Sequence, residues 1–134
     1  MQPTAADEPA HYPRPADLEL IPLDGPPTAD RLRFELTAGL ARPDGALYGG
    51  TGAAVSVMAM ESATQRDALW MVTQFIAQAH VGETLDVQAE TLAMGGRIAQ
   101  LRVTGTVGDR VIFCTIGATA HPRPDGLTGQ YLPM

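Results

Sequence analysis

The stretch that decides the fold is residues 51–65, TGAAVSVMAMESATQ, which directly follow Tyr48-Gly49-Gly50. It contains no proline and is rich in alanine, valine and methionine. On a helix, its apolar residues would lie almost all round the axis, with the polar residues gathered at the end. A helix that is apolar on every side must be buried. Residues 51–65 therefore predict one long helix in the interior of the domain.

Segments on both sides of this helix alternate between apolar and polar residues, as half-buried strands do. The alternation is clearest in residues 31–38, 84–93 and 97–107. Each of these segments predicts a strand of an antiparallel sheet with one solvated face. Residues 18–23 add a candidate for a short edge strand.

Two further segments complete the predicted sheet. Residues 68–80 predict a strand that turns Leu69, Met71, Phe75 and Ala77 inward and the glutamines and His80 outward. Residues 111–120 are apolar on both faces, so their strand should be central or covered.

Glycines mark three short connections between the predicted strands. Gly82-Glu83, Gly95-Gly96 and Gly108-Asp109 are typical of hairpin turns. The chain order is then strand, buried helix and four antiparallel strands. A sheet curled around one central helix satisfies this order, and the predicted class is α+β.

Proline marks the limits of the domain. Seven of the eleven prolines lie in the first 27 residues, and only Pro43 lies between Thr28 and His121. Proline removes a backbone donor, so regular structure should be concentrated between these clusters. We expect an extended arm over residues 1–27, one domain over 28–121 and an extended tail over 122–134.

Composition excludes several classes of function. The net charge is −6, and the nine basic residues are scattered arginines, which disfavours nucleic acid as a partner. No apolar run is long enough to span a membrane, and three dispersed histidines with one cysteine indicate neither a metal centre nor an internal disulfide. The first 15 residues have neither the basic start nor the apolar stretch of a signal peptide, so a cytoplasmic location is expected.

Several short motifs resemble one family. They are residues 47–54 (LYGGTGAA), 72–76 (VTQFI), 80–83 (HVGE), 94–99 (MGGRIA) and 111–115 (VIFCT). Together they resemble the hotdog-fold acyl-CoA thioesterases, in particular the amino-terminal half of the acyl-CoA thioesterase II type. The resemblance implies an antiparallel sheet wrapped around one long helix, and a homodimer or homotetramer. It also implies a hydrolase without a cofactor, which converts an acyl-CoA thioester to the acid and free coenzyme A.

The glycine-rich junction before the helix is the first candidate site. Backbone N–H groups at a helix N-terminus can hold the carbonyl of a thioester as negative charge develops on it. We assign this catalytic role to Gly50 and Thr51, and substrate binding to Tyr48, Gly49 and Gly52. The alternative is a tight turn with no further role.

Two side chains are candidates for the chemistry on water. Glu61 is the only carboxylate within the predicted helix, and an apolar surrounding would raise its pKa and suit a general base. Gln74 could orient a water molecule or bind the ligand across a dimer interface. The alternatives are the polar end of a helix for Glu61 and a solvated strand residue for Gln74.

Two other residues are candidates for substrate binding. Met58 lies one helical turn before Glu61 and could line the acyl group, with core packing as the alternative. Arg97 could contact the phosphates of coenzyme A, and the alternative is a solvated strand face.

A second hypothesis keeps the fold without the reaction. Chains of the acyl-CoA thioesterase II type carry two fused hotdogs, and the resemblance places the Asp, Thr and Gln that carry out hydrolysis in the carboxy-terminal one. The matching positions here are apolar, such as Ala68 and Ile116. The chain would then be a non-catalytic acyl-CoA binding module, or a structural half that pairs with another hotdog chain. A hotdog hydratase is less favoured, because no His and Asp lie together at the helix start.

Overall fold

The fold consists of one long helix packed on an antiparallel sheet. The computed structural model describes residues 21–22 and 30–122. Their elements are β1 (Ile21–Pro22), β2 (Arg31–Glu35), a 3-10 turn (Ala38–Leu40), α1 (Gly49–Thr64), β3 (Asp67–Phe75), β4 (Thr84–Met94), β5 (Ile98–Val107) and β6 (Arg110–Ala120).

The six strands form one sheet in the order β1-β2-β4-β5-β6-β3, with every neighbouring pair antiparallel. Helix α1 packs against β2 to β6. The predicted hotdog architecture and its chain order are therefore confirmed. Strand β3, which directly follows the helix, lies at one edge of the sheet.

Alternation along β2, β4 and β5 places the core as predicted. The residues at every second position are buried on the helix side: Leu32, Phe34, Leu85, Val87, Ala89, Ala99, Leu101 and Val103. The polar residues between them lie on the outer face, where Arg102 of β5 forms a salt bridge with Glu90 of β4.

Helix α1 begins two residues before the predicted start, at Gly49. It ends at Thr64, and the C-cap residue Gln65 adopts the left-handed conformation and donates its N–H to the carbonyl of Glu61. Val55, Ser56, Ala59 and Met60 are buried against the sheet.

The prediction that α1 is buried on every side is wrong for a single chain. Met58 is 38% exposed, and Ala53, Ala54 and Val57 are only partly buried. One sheet covers one side of a helix, so the opposite side of α1 keeps an apolar surface in contact with solvent.

Strand β3 also differs from its prediction. It ends at Phe75 instead of His80, because the amides of Ile76 and Ala77 both donate to the carbonyl of Ile112. An irregularity between Ala68 and Trp70 leaves Leu69 53% exposed instead of inward.

Two of the three predicted hairpins are present. Gly95-Gly96 joins β4 to β5, and Gly108-Asp109 joins β5 to β6. The Gly82-Glu83 hairpin is wrong: the turn exists, but β5 and β6 lie between β4 and β3 in the sheet. A turn motif specifies a local reversal of the chain and not the strand with which the next segment pairs.

Strand β6 lies between β5 and β3, as expected for a covered strand, although Ile116 on its outer face is 51% exposed. The edge strand predicted over residues 18–23 is represented by β1. Most of the predicted arm (1–27) and of the predicted tail (122–134) lies outside the described residues.

Among the described residues, no helix has the length and apolar character needed to cross a membrane.

Gly117 is predicted to be essential for the packing of α1 on β6. A Cβ at Gly117 would lie 2.6 Å from the carbonyl oxygen of Trp70 and 2.8 Å from Sδ of Met60. Gly117→Ala should therefore lower the free energy of unfolding by about 1–3 kcal/mol, measured by urea denaturation. Gly96→Ala is the matched control, since a Cβ there meets nothing within 4 Å. Equal stability of the two variants would contradict this packing.

Candidate active site at the start of the central helix

A tight turn fixes the approach to α1. Arg42 and Ala46 face each other across it, with the Arg42 amide donating to the Ala46 carbonyl and Gly45 in the left-handed region at φ 85°. Leu47 then donates its N–H to the carbonyl of Ala79. The turn and the segment after β3 thus hold the chain in place just before the helix begins.

The first turn of α1 leaves two backbone donors unused. The amides of Thr51 and Gly52 both donate to the carbonyl of Tyr48, at 3.0 and 3.2 Å. Tyr48, the N-cap residue, provides no side-chain cap. Within the described residues, the amides of Gly49 and Gly50 donate to no other group, as expected of the first N–H groups of an uncapped helix.

Phe75 lies across this first turn. A Cβ at Gly49 would lie 3.6 Å from Cζ of Phe75, and a Cβ at Gly52 would lie 2.8 Å from its Cε1. Gly52 is therefore required for the close approach of the ring. Phe75 faces the helix, as its inward prediction implied, yet it is 50% exposed because it lies at the end of β3.

A pocket of about 350 Å³ opens beside Gly49. Its walls are formed by the approach to α1 and by the segment after β3: Arg42, Leu47, Gly49, Phe75, Ile76, Ala77 and Gln78. The pocket has polar and apolar surface in about equal parts, with Arg42, Gln78 and the backbone as sources of its polar part. It can hold an uncharged chain with a polar group directed toward the helix N-terminus.

The charge of Arg42 is already compensated. Its guanidinium donates two hydrogen bonds to the carboxylate of Asp44. These bonds and one from the Ala46 amide lower the pKa of Asp44 to about 2, so the carboxylate stays ionised near neutral pH. Arg42 thus contributes an ion pair, and not an isolated positive charge, to the edge of the pocket.

The hydroxyl of Thr51 is part of the interior. It is buried and donates to the carbonyl of Leu40 at 2.9 Å, which ties the 3-10 turn to the helix. A chain of hydroxyls continues further along: Ser56 bonds to Thr115, and Thr115 bonds to Thr73 of β3, each at 2.8 Å.

The predicted base lies at the other end of the helix. Glu61 accepts a hydrogen bond of 2.8 Å from the amide of Ala68, so its carboxylate lies beside the first residues of β3. Gly49 and Glu61 are twelve residues apart on α1, which separates them by about 18 Å along the axis. One chain does not bring Glu61 to the pocket.

The other candidates are also dispersed. Thr73 faces the helix through its bond to Thr115, so Gln74, its neighbour in β3, lies on the outer face of the sheet. Met58 lies on the exposed side of α1. Arg97 directly precedes β5, at the end of the sheet where Thr64 of α1 bonds to Thr119 of β6. Of the candidates, Gly49 lines the pocket, and Tyr48, Gly50 and Gly52 lie in or next to the same first turn of α1.

A family model for the acyl-CoA thioesterase N-terminal domain matches residues 38–121, which include the pocket and the whole helix. The chain belongs to this family. The predicted resemblance is therefore confirmed. A comparison with curated proteins finds no match.

Solved structures share the fold of this chain. A candidate thioesterase from Novosphingobium aromaticivorans superposes with a TM-score of 0.70 at 25% identity, over 84% of this chain and 44% of that one. The TT0310 protein from Thermus thermophilus has a TM-score of 0.72 at 20% identity, over 80% and 95%. A hypothetical thioesterase from Streptococcus pneumoniae, solved with coenzyme A, has a TM-score of 0.57 at 13% identity, over 69% and 82%. The chain spans less than half the length of the Novosphingobium protein.

Sequence reasoning missed Arg42, Phe75 and Gln78 as residues of the pocket of this thioesterase-family domain. Arg42 could have been identified as a pocket residue from its position in the turn Arg42-Pro43-Asp44-Gly45, which directly precedes the glycine junction. Phe75 and Gln78 were assigned to a continuous strand, and only the early end of β3 turns this segment toward the helix. Among the described residues, no three His, Cys, Asp or Glu side chains converge to hold a metal ion.

The contact between Glu61 and Ala68 yields a stability prediction that is independent of activity. Glu61→Ala should lower the free energy of unfolding by about 2 kcal/mol, because the Ala68 amide loses a charged acceptor. Glu61→Gln keeps an acceptor oxygen and should lose less than about 1 kcal/mol. Chemical denaturation of both variants checks the order. Equal losses would show that the hydrogen bond contributes nothing to stability.

Proposed function

We propose that the protein hydrolyses acyl-CoA thioesters, with the amides of Gly49 and Gly50 as the oxyanion hole. The observation that carries this proposal is a pair of N–H groups beside the pocket that have no acceptor among the described residues. Each carbonyl that enters a tetrahedral intermediate develops negative charge on its oxygen. Two amides at the positive end of a helix stabilise that charge, and they are already oriented, so the protein does not have to rearrange during the reaction.

Membership of the thioesterase family supports the substrate class. The coenzyme A complex of the Streptococcus pneumoniae protein, which has the same fold, supports coenzyme A as the leaving group. In our proposal the acyl chain occupies the pocket beside Phe75 and Leu47. The thioester carbonyl points toward Gly49.

The reaction also needs a base. Among the described residues, no carboxylate lines the pocket, and Glu61 of the same chain lies about 18 Å away along the helix. Strand β3 offers a way to bring a second copy of Glu61 to the site. It is nine residues long and, among the described residues, pairs on one side only, with β6.

Strand β3 has the properties of a strand that pairs with a second chain. It contains no proline or basic residue, and Leu69, Trp70 and Val72 are exposed on it. A long apolar edge strand is an aggregation hazard unless it is covered. The exposed apolar side of α1, around Met58, would be covered by the same association. We therefore propose a homodimer through β3, which two copies can extend to a homotetramer.

Antiparallel pairing of two β3 strands completes the site. If the pairing is centred on Met71, the middle of the strand, Phe75 lies opposite Asp67 of the partner subunit. The hydrogen bond to Ala68 holds the Glu61 carboxylate at that end of the strand. Glu61 of the partner subunit therefore lies next to the pocket in the dimer.

The proposed reaction follows from this arrangement. Glu61 of the partner subunit takes a proton from water as the water oxygen attacks the carbonyl carbon. The resulting oxyanion is held by Gly49 and Gly50. Its collapse breaks the carbon–sulfur bond, and the proton from the glutamic acid goes to the departing coenzyme A sulfur. The products are the free acid and coenzyme A.

A specific observation also favours a non-catalytic module. Glu61 already accepts a hydrogen bond from the Ala68 amide, so one of its carboxylate oxygens is engaged by the backbone. In this alternative the same pocket binds acyl-CoA without releasing the thiol. The chain would then pair with another hotdog domain that carries the reaction.

Removal of one amide tests the oxyanion hole directly. Gly49 is the first residue of α1, where proline is tolerated, and Tyr48 has the extended conformation that precedes proline (φ −72°, ψ 132°). Gly49→Pro should keep the fold and lower kcat for thiol release from acyl-CoA esters about 100-fold. Gly49→Ala keeps the amide and makes an ordinary 3.6 Å contact with Phe75, so it is the matched control.

The assay uses short, medium and aromatic acyl-CoA esters, with free thiol as the readout. Equal kcat for the proline and alanine variants would remove the oxyanion hole from the proposal. Acyl-CoA binding without thiol release from the unaltered protein would favour the binding module. Loss of activity in Glu61→Gln with unchanged stability would support Glu61 as the base.

The edge-strand dimer predicts the effect of charge on β3. Val72→Glu places a carboxylate near its own copy across the proposed dyad, so the protein should shift from dimer toward monomer, about 14 kDa by light scattering. Leu92→Glu is the matched control, since Leu92 is exposed on β4, remote from β3. Equal masses for both variants would contradict association through β3.

A further inference from the structure

Three basic residues lie side by side at the end of the sheet beside the C-terminus of α1. Asp67 of β3 and Ile98 of β5 both lie opposite Ala120 of β6. One residue further along the three strands are Arg66, His121 and Arg97, which we call the basic row. The amide of His121 donates to the carbonyl of Arg97 at 3.0 Å, which confirms that these two are neighbours.

The arginines of the basic row are not used in ion pairs within the described residues. The salt bridges between described residues use Arg42, Arg102 and Arg110. Arg66 donates one hydrogen bond to the carbonyl of Gly95, which leaves most of its donors open. The Nε of Arg97 is buried and has no hydrogen-bond partner among the described residues.

Two carboxylates lie close to the row without neutralising it. Glu61 accepts from the Ala68 amide, and Asp67 lies on the opposite face of the sheet from its neighbour Arg66. The negative end of the helix dipole attracts cations to this position, but it carries only about half a charge. A buried guanidinium donor without an acceptor costs free energy, which an anionic ligand would recover.

The proposed dimer brings the basic row to the substrate. Because Asp67 of the partner subunit lies opposite Phe75, Arg66 of the partner subunit lies beside Ile76 in the wall of the pocket. Arg97 of the partner subunit is two strands further away, about 10 Å at the usual spacing. A coenzyme A whose thioester lies at Gly49 can extend over this distance.

We propose that Arg66, Arg97 and His121 bind phosphate groups of the coenzyme A whose acyl group occupies the partner subunit's pocket. The inference rests on the proposed function and adds the residues that select the coenzyme. Guanidinium groups suit this role, since their planar set of donors matches the oxygens of a phosphate. The sequence predicts Arg97 as a phosphate contact. The proposal adds Arg66 and His121 beside it and gives all three a position in the dimer.

The test compares two thioesters of the same acid, one of coenzyme A and one of pantetheine, which lacks the phosphates. Arg97→Gln should raise KM for acyl-CoA at least tenfold and change KM for acyl-pantetheine less than twofold. Arg31→Gln removes the same charge from an exposed position on β2 and should change neither value. Thermal melting of both variants verifies that the fold is intact, and His121→Gln should act in the same direction as Arg97→Gln.

Equal effects of Arg97→Gln on both thioesters would mean that Arg97 only supports the fold, and would overturn the proposal. So would an effect no larger than that of Arg31→Gln. Calorimetric titration with coenzyme A and with pantetheine separates the two proposals. If thiol release is absent but coenzyme A binding still depends on Arg97, the hydrolysis proposal fails and the basic row stands. If neither hydrolysis nor coenzyme A binding occurs, both are wrong.

Discussion

The architecture depends on how an apolar helix is covered. Helix α1 has apolar side chains on nearly all sides, while a sheet can cover only the side that faces it. Val55, Ala59 and Met60 are buried against the strands, and Met58 on the opposite side is not. The hydrophobic effect thus favours a second layer over α1. One edge of β3 is also unpaired among the described residues. In the proposed dimer, one association would satisfy both the backbone of β3 and the apolar side of the helix.

The first turn of α1 differs from this apolar surface, because its amides at Gly49 and Gly50 have no hydrogen-bond acceptor among the described residues. Tyr48 leaves the helix without a side-chain cap, and Gly52 allows Phe75 to lie across the turn. The pocket forms between that ring and the turn around Arg42. Further along, the hydroxyls of Ser56, Thr115 and Thr73 satisfy one another where the helix meets β6 and β3. Hydrogen bonds thus satisfy these side chains in the middle of the helix, while the amides of Gly49 and Gly50 at its start have no acceptor among the described residues.

Most of the fold could be predicted from periodicity. The alternation in β2, β4 and β5 fixed the buried face at Phe34, Val87 and Leu101, because a period of two leaves one choice of face once the core side is known. The buried helix followed from its composition. The errors arose where contacts between residues distant in the sequence determine the structure. The Gly82 turn does not specify a partner strand, and the irregularity near Leu69 changes which residues of β3 face inward.

The site could be predicted only in part. The glycine junction was found because amides at a helix start have a chemical use that is visible in sequence. Phe75 and Gln78 were missed, since the end of β3 depends on a contact with Ile112 of another strand. The distance between Gly49 and Glu61 follows from the helix itself, and it shows that the candidates belong to one site only if two chains contribute.

The most direct test of this account is a crystal structure of the protein with an acyl-CoA analogue in which a methylene separates the carbonyl from sulfur. The account predicts that the carbonyl oxygen lies within about 3.1 Å of the Gly49 or Gly50 nitrogen, with Glu61 of the partner subunit beside the carbonyl carbon. Binding with the carbonyl directed away from the start of α1, or at a site built by one chain alone, would contradict it.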